Sequence, residues 1–171
     1  MNISLNTAAY KWYPVYTHPR AEKKTHQALL DKDIESYLPL RRQLKQWSDR
    51  KKWVDEPFIK SYLFVRIADQ QQAEVLMTKG VARFIYFGGK IAPTPDRQID
   101  DLKLLMTSAL DLEVTEENLL PGEMIKIKAG PLKGMTGEII SYRSQKQLVL
   151  RLENLGCSVI IHVAASLIDR F

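Results

Sequence analysis

The chain has 171 residues, 45% hydrophobic and 26% charged, which suits a folded protein of one compact domain or two small ones. Its 25 Lys+Arg exceed its 20 Asp+Glu, and the net charge of +5 lies in one part of it: residues 1–111 hold 18 basic and 13 acidic side chains, residues 112–171 seven of each. A membrane-spanning helix is excluded, because the longest apolar stretch, near Val159 to Ala165, is broken by His162 and falls far short of about 20 residues. The N-terminus lacks the basic start and apolar run of a signal peptide. The single cysteine, Cys157, allows no internal disulfide. The expected compartment is a reducing cytoplasm. A basic first part attracts phosphate backbones, which makes nucleic acid a candidate partner.

In chain order, Lys11 to Thr17 reads as a strand, rich in aromatic and β-branched residues. Pro14 within it points to a sheet edge. His18-Pro19-Arg20 turns into a helix, where Ala21, Thr25, Ala28 and Leu29 recur at helical spacing up to about Asp33. Glu35 to Leu40 is a second strand. The basic stretch Arg41 to Lys52, with Ser48-Asp49 at its turn, reads as a projecting hairpin or loop. Phe58 to Ile67 is the strongest strand, and its run Tyr62-Leu63-Phe64-Val65 should be central and buried.

Asp69, with Gln72 three residues on, is placed to start a short helix that Gly80 closes. Val81 to Phe87 is another strand, and Gly88-Gly89 a turn. Thr94-Pro95-Asp96 opens a helix whose apolar stripe is Ile99, Leu102, Met106 and Ala109. Glu113 to Asn118 is acidic and aperiodic and reads as a linker. Beyond it Ile125/Ile127, Leu148/Leu150/Leu152 and Val159/Ile161/Val163 alternate at period two. The pattern predicts an α/β domain with interleaved strands and helices, then a small all-β barrel of about 50 residues, near the lower limit for independent folding.

No catalytic constellation can be assembled. His18, His26 and His162 are scattered and lack the four-ligand spacing of a zinc site. Cys157 without partners reads as a small packed hydrophobe. Gly130-Pro131-Leu132-Lys133-Gly134 has three residues between its glycines and no following Lys-Ser/Thr, so it is not a phosphate loop. Neither enzymatic activity, nor a metal, nor a cofactor is expected.

Gly122 to Ile140, with lysines alternating against isoleucines before a Gly-Pro reversal, resembles a KOW motif. Trp12-Tyr13-Pro14-Val15-Tyr16-Thr17 followed by Pro19-Arg20-Ala21-Glu22-Lys23 is similar to the opening of the NusG N-terminal domain. Glu56 to Val65 matches the family's Pro-x-x-x-x-Tyr-x-x-Val strand, and Gly80 to Gly89 a third block. These blocks occur in order over nearly the whole chain. The resemblance is to the NusG family of transcription factors, and within it to the specialised RfaH and UpxY-like branch.

The resemblance implies an α+β fold. Residues 1–111 would form an α/β sandwich with an antiparallel sheet flanked by helices, residues 112–120 a linker, and residues 121–171 an SH3-like KOW barrel. It also implies an elongation and antitermination factor, a monomer, that bridges the clamp and the opposite lobe of bacterial RNA polymerase and suppresses pausing, on particular operons such as capsular polysaccharide ones. Tyr62, Phe64, Tyr13, Phe58, Val81 and Phe84 would supply the polymerase-binding pocket, with Tyr62 and Phe64 foremost. His18, Arg20, Lys24, Lys79 and Arg83 would face upstream or non-template DNA. Arg41, Arg42, Lys45, Arg50, Lys51 and Lys52, interleaved with Trp47 and Trp53, would be the projecting hairpin, its chemistry suited to nucleic acid or polymerase. Leu132, Met135 and Leu155 would meet a KOW partner, a small-subunit ribosomal protein. Housekeeping members commonly carry phenylalanine in the loop that here holds Leu132 and Met135, which speaks against Rho as that partner. The alternatives are the housekeeping elongation factor, which needs no operon element, and a ribosome-associated KOW protein that binds RNA. The last would call for a basic C-terminal part, whereas residues 112–171 are neutral.

Overall fold

The computed structural model describes residues 9–152, 154–162 and 168–170. The chain divides into two compact units, Met1–Asp96 and Arg97–Phe171. Each is a mixture of antiparallel sheet and few helices.

In the first unit, β1 (Lys11–Thr17), β2 (Glu35–Tyr37), β5 (Tyr62–Ile67) and β6 (Val81–Phe84) form an antiparallel sheet in the order β2-β5-β1-β6. Side chains alternate across it. Tyr13 and Val15 of β1, Leu63, Val65 and Ile67 of β5, and Phe84 of β6 form one apolar cluster. The helices α1 (Glu22–Leu30) and α2 (Gln72–Leu76) complete it with Leu29 and Val75. Gly80, which follows α2, has φ +94°. The hairpin β3 (Leu40–Gln46) and β4 (Lys51–Pro57) forms its own two-stranded ribbon, and β7 (Tyr86–Phe87) with β8 (Lys90–Ile91) a second, smaller one.

Pro14 does not mark an edge, because β1 lies between β5 and β6. Thr94 donates its N–H to the Trp12 carbonyl at 2.8 Å, so the even-numbered backbone groups of β1 turn to the β6 side. Pairing with β6 begins only at Val15, opposite Phe84. The N–H that proline lacks therefore falls where β6 offers no ladder partner. The start of the short second helix also differs from expectation. A 3-10 turn over Asp69–Gln71 precedes α2, and Gln71, not Gln72, reaches back to accept the Ala68 N–H at 3.1 Å. The strand expected over Val81 to Phe87 breaks after Phe84, and Tyr86-Phe87 enters the small β7–β8 ribbon.

The helix α3 (Asp96–Thr107) buries Gln98, Ile99, Leu102 and Leu105; Met106 is half-buried and Ala109 exposed. In the second unit β9 (Leu112–Thr115), β10 (Glu123–Ile127), β11 (Thr136–Tyr142), β12 (Gln145–Leu152), β13 (Cys157–Ile161) and β14 (Ile168–Arg170) form one antiparallel sheet, ordered β14-β10-β11-β12-β13-β9. Residues 112–115, read as the start of a linker, thus pair with β13. All five residues of β13 are buried, so this strand is covered on both faces instead of alternating. Val163 lies outside the described residues. Gly130 and Gly134 have φ of +82° and +89°, which the reversal between β10 and β11 requires.

Candidate functional site

The register of β1 against β5 decides which aromatic residues share a face. Trp12 pairs with Arg66, Pro14 with Phe64, and Tyr16 with Tyr62. Cross-strand partners project to the same side. This side is opposite the one whose residues cluster with α1 and α2. The Tyr16 and Tyr62 rings meet edge-on at 5.3 Å, and the Arg83 guanidinium lies 5.2 Å over the Tyr16 ring. Tyr37 of β2, paired with Phe64, stacks on its ring at 6.4 Å, and burial pushes the Tyr37 hydroxyl up to about 12. An aromatic layer with a cation at its margin therefore occupies one face of the sheet.

Of the residues expected in a polymerase pocket, Tyr62 and Phe64 belong to this layer. Tyr62 is half-buried and Phe64 fully buried. Tyr13, Val81 and Phe84 instead fill the helix-side core. Alternation requires this: odd positions of β1 and even positions of β5 face opposite ways when paired as they are. Phe58 precedes β5, is half-buried, and donates its N–H to the Pro39 carbonyl at 2.9 Å. Trp12, Tyr16 and Tyr37 share this layer and were not among the pocket residues expected from the sequence. The signal was present in β1 itself, where Trp12, Pro14 and Tyr16 alternate with the core positions.

The expected DNA-facing groups His18, Arg20, Lys24, Lys79 and Arg83 are all exposed. The structure brings the ends of this set together: His18 donates its N–H to the Gly80 carbonyl at 2.9 Å, and Arg83 pairs across the sheet with Tyr16. Lys24 lies further along α1, two residues into it.

The hairpin is formed, with Trp47 donating its N–H to the Arg50 carbonyl at 2.8 Å to close the turn. Arg42, Arg50, Lys51 and Lys52 are exposed, while Arg41 and Lys45 are half-buried. Lys45 pairs with Glu56. Arg50 lies 5.6 Å over Trp47, and Arg42 5.5 Å over Trp53. The two tryptophans differ in place. Trp53 pairs with Leu44 on one face of the ribbon, whereas Trp47, Lys45 and Val54 line a groove of about 710 Å³.

In the second unit Leu132, Met135 and Leu155 are 1%, 2% and 9% exposed. These apolar side chains are buried, so the expectation that they present a partner-docking surface does not fit this arrangement. Cys157 is buried as well, and burial, then the Glu116 charge, push its thiol up to about 11, away from the thiolate that nucleophilic or metal chemistry uses. Among the described residues no group of three or more His, Cys, Asp or Glu is placed to hold a metal ion, and no helix is long and apolar enough to cross a membrane.

Fold and surface together define a two-unit mixed α/β protein whose first unit has an aromatic layer on one sheet face with Arg83 at its margin. The family model described as transcription termination factor NusG matches residues 10–103, and the chain belongs to the NusG family. The NusG of Thermotoga maritima, in a structure concerned with its domain interaction, is 19% identical and has a TM-score of 0.56, covering 95% of this chain and 98% of that one. The likeness is one of fold. Two conformations of the MjSpt4:Spt5 complex are 17% and 18% identical over 94% and 93% of this chain and 97% and 95% of theirs. Their TM-scores of 0.30 and 0.28 are too low to argue a shared arrangement. No curated protein matches the chain.

Proposed function

We propose that this chain is a transcription elongation and antitermination factor that docks on bacterial RNA polymerase through the aromatic face of its first unit and performs no chemistry of its own. The observation that carries the reading is the half-buried pair Tyr16 and Tyr62, which meet edge-on with Arg83 over Tyr16 and are backed by the buried Trp12 and Phe64. Aromatic residues with arginine at the margin are what a specific docking surface concentrates. The family supplies the partner: the coiled-coil tip of the clamp for the aromatic face, and the opposite lobe for a second contact. A bridge between them acts by binding one polymerase state better than another, and so disfavours pausing. The exposed His18, Arg20, Lys24, Lys79 and Arg83 then face upstream or non-template DNA. Contacts to phosphate hold register and affinity without reading sequence. The second unit is read as the family's KOW barrel, with a small-subunit ribosomal protein as partner. The specialised branch is read from sequence likeness alone, Leu132 and Met135 standing where housekeeping members commonly carry phenylalanine; both side chains are buried.

The test is binding of the full chain to core RNA polymerase, with and without competing housekeeping NusG. Binding that NusG displaces, weakened about tenfold by Tyr62→Ala, supports the reading. No binding by demonstrably folded protein overturns it. Phe64→Ala is a poor probe, because emptying a fully buried phenylalanine site costs about 3–5 kcal/mol of stability.

A further inference from the structure

The ribbon of β3 and β4 is a sheet of its own, apart from the one that carries the aromatic layer. Its hydrogen-bond phase is fixed at the turn. The Trp47 N–H reaches the Arg50 carbonyl, so this closing pair is bonded, and bonded and unbonded pairs alternate from it along the register. In the unbonded pairs the backbone N–H and C=O turn outward. On β3 these groups belong to Arg42, Leu44 and Gln46. All three residues are exposed, and among the described residues no further strand adjoins the ribbon. An open edge is a template for another strand, and charge commonly blunts it. The charge of β3 has one sign: Arg41, Arg42 and Lys45, and no acid. The ribbon's acids, Asp49, Asp55 and Glu56, lie in the turn and on β4, where Glu56 pairs with Lys45. The middle of the edge is apolar. Leu44 is 50% exposed and stands opposite Trp53, 55% exposed. Such an edge repels a basic strand and suits one that is acidic and apolar by turns.

We infer that the outer edge of β3 takes up an extended acidic segment of a partner protein by strand addition, its apolar side chains beside Leu44 and Trp53 and its carboxylates beside Arg41 and Lys45. Main-chain hydrogen bonds at Leu44 and Gln46 supply affinity, and the alternation of side chains supplies selectivity. The inference goes beyond the docking reading and does not depend on it, because the aromatic layer belongs to a different sheet. Nucleic acid is the poorer occupant of this edge. It has no amide ladder to offer, Arg42 already lies 5.5 Å over the Trp53 ring, and Asp55 is exposed opposite Arg42.

The experiment titrates an end-capped peptide of about ten residues, alternating glutamate and valine, into the full chain without polymerase. Two parallel arms carry lysine in place of glutamate, or the same side chains with every amide N-methylated, which keeps the charge and removes the backbone donors. The expected result is saturable binding of the acidic peptide, about tenfold weaker in either altered arm. Hydrogen exchange on the unaltered chain locates it: the amides of Leu44 and Gln46 should slow about tenfold at saturation, while those of Gln43 and Lys45, already in the ladder, stay as they are. Leu44→Pro removes one outward donor and leaves the β3–β4 ladder whole, so it should weaken binding about tenfold. Lys51→Pro, at an outward position of the β4 edge, should change it less than twofold. Equal binding of the methylated or the lysine peptide, protection elsewhere than on β3, equal losses from the two proline variants, or no saturable binding each overturn the inference. So does displacement of the acidic peptide by oligo-dT with the β3 amides left unprotected, which would give the ribbon to nucleic acid.

Discussion

At the scale of single residues, Gly80 shows how one position holds several elements. Its φ of +94° excludes easy substitution, and a Cβ there would lie 1.9 Å from the Thr25 Oγ1 of α1. Its carbonyl receives the His18 N–H at the end of β1. Gly80→Ala should therefore destabilise the chain by about 1–3 kcal/mol, read as a fall in thermal midpoint of several degrees. An unchanged midpoint would mean that α1 and the β6 entrance can move apart freely. Glu138 is a second such point. Arg151 donates to both its oxygens at 2.8 and 3.0 Å, and the Gly122 N–H adds a third bond at 3.0 Å. The hydrogen bonds from Arg151 hold the Glu138 carboxyl below the usual range, against the opposing effect of burial. A depressed folded value means the unfolded chain binds the proton more readily. The stabilisation is therefore complete above the ordinary glutamate value of about 4.3, and is lost as pH falls through the lower folded value. Urea midpoints between pH 7 and pH 3 should fall less steeply for Glu138→Gln than for the parent. Parallel curves would remove Glu138 from the acid response.

At the scale of elements, the phase of α3 gives the sharpest comparison. The apolar residues allow two stripes, one through Met106 and Ala109 and one through Leu105, and the helix buries the latter. Leu105→Ala should cost about 2–5 kcal/mol, and Met106→Ala markedly less. Equal costs would contradict the observed phase. The ambiguity arises because Leu104, Leu105 and Met106 are consecutive, so periodicity alone cannot choose among them. β1 was legible from its run of aromatic and β-branched residues, and β10 from the alternation of Ile125, Lys126 and Ile127. The hairpin was legible from its polar turn. What was not legible depended on partners distant in sequence. Pro14 sits inside a sheet because β6 stops one residue short of it. Leu112–Thr115 looked aperiodic and acidic, yet Glu113 is engaged by the Tyr142 hydroxyl at 3.1 Å and by Arg143 at 3.0 Å, which holds the strand against its neighbours. The candidate site divided in the same way. The blocks carrying Tyr62 and Phe64 could be found, but separating them from Tyr13 and Phe84 needed the strand register.

At the scale of the whole molecule, the uneven charge argues for a division of labour. Residues 1–111 carry the entire +5 and residues 112–171 none. On the proposed function, long-range attraction to a polymerase engaged on nucleic acid would come from the first part, and contacts of the second part should depend little on salt. The proposed face splits further into an aromatic area that meets protein and a basic margin that meets phosphate. The two make different demands on an experiment with polymerase alone and with polymerase engaged on DNA.

Lys24→Ala with Arg83→Ala tests that split. Both side chains are exposed, so their removal should leave the fold intact. If they meet duplex DNA, binding to a DNA-engaged complex should lose about 0.9 of its log-salt slope for each contact, while binding to free polymerase keeps its slope. Arg83 also lies 5.2 Å over Tyr16, within the aromatic layer, so its loss can weaken protein docking as well. Lys24 has no such link, and the Lys24→Ala variant alone separates the two effects. It should weaken recruitment to the engaged complex and leave free polymerase binding within twofold. An equal loss in both assays would place Lys24 against protein and return the basic margin to the docking surface.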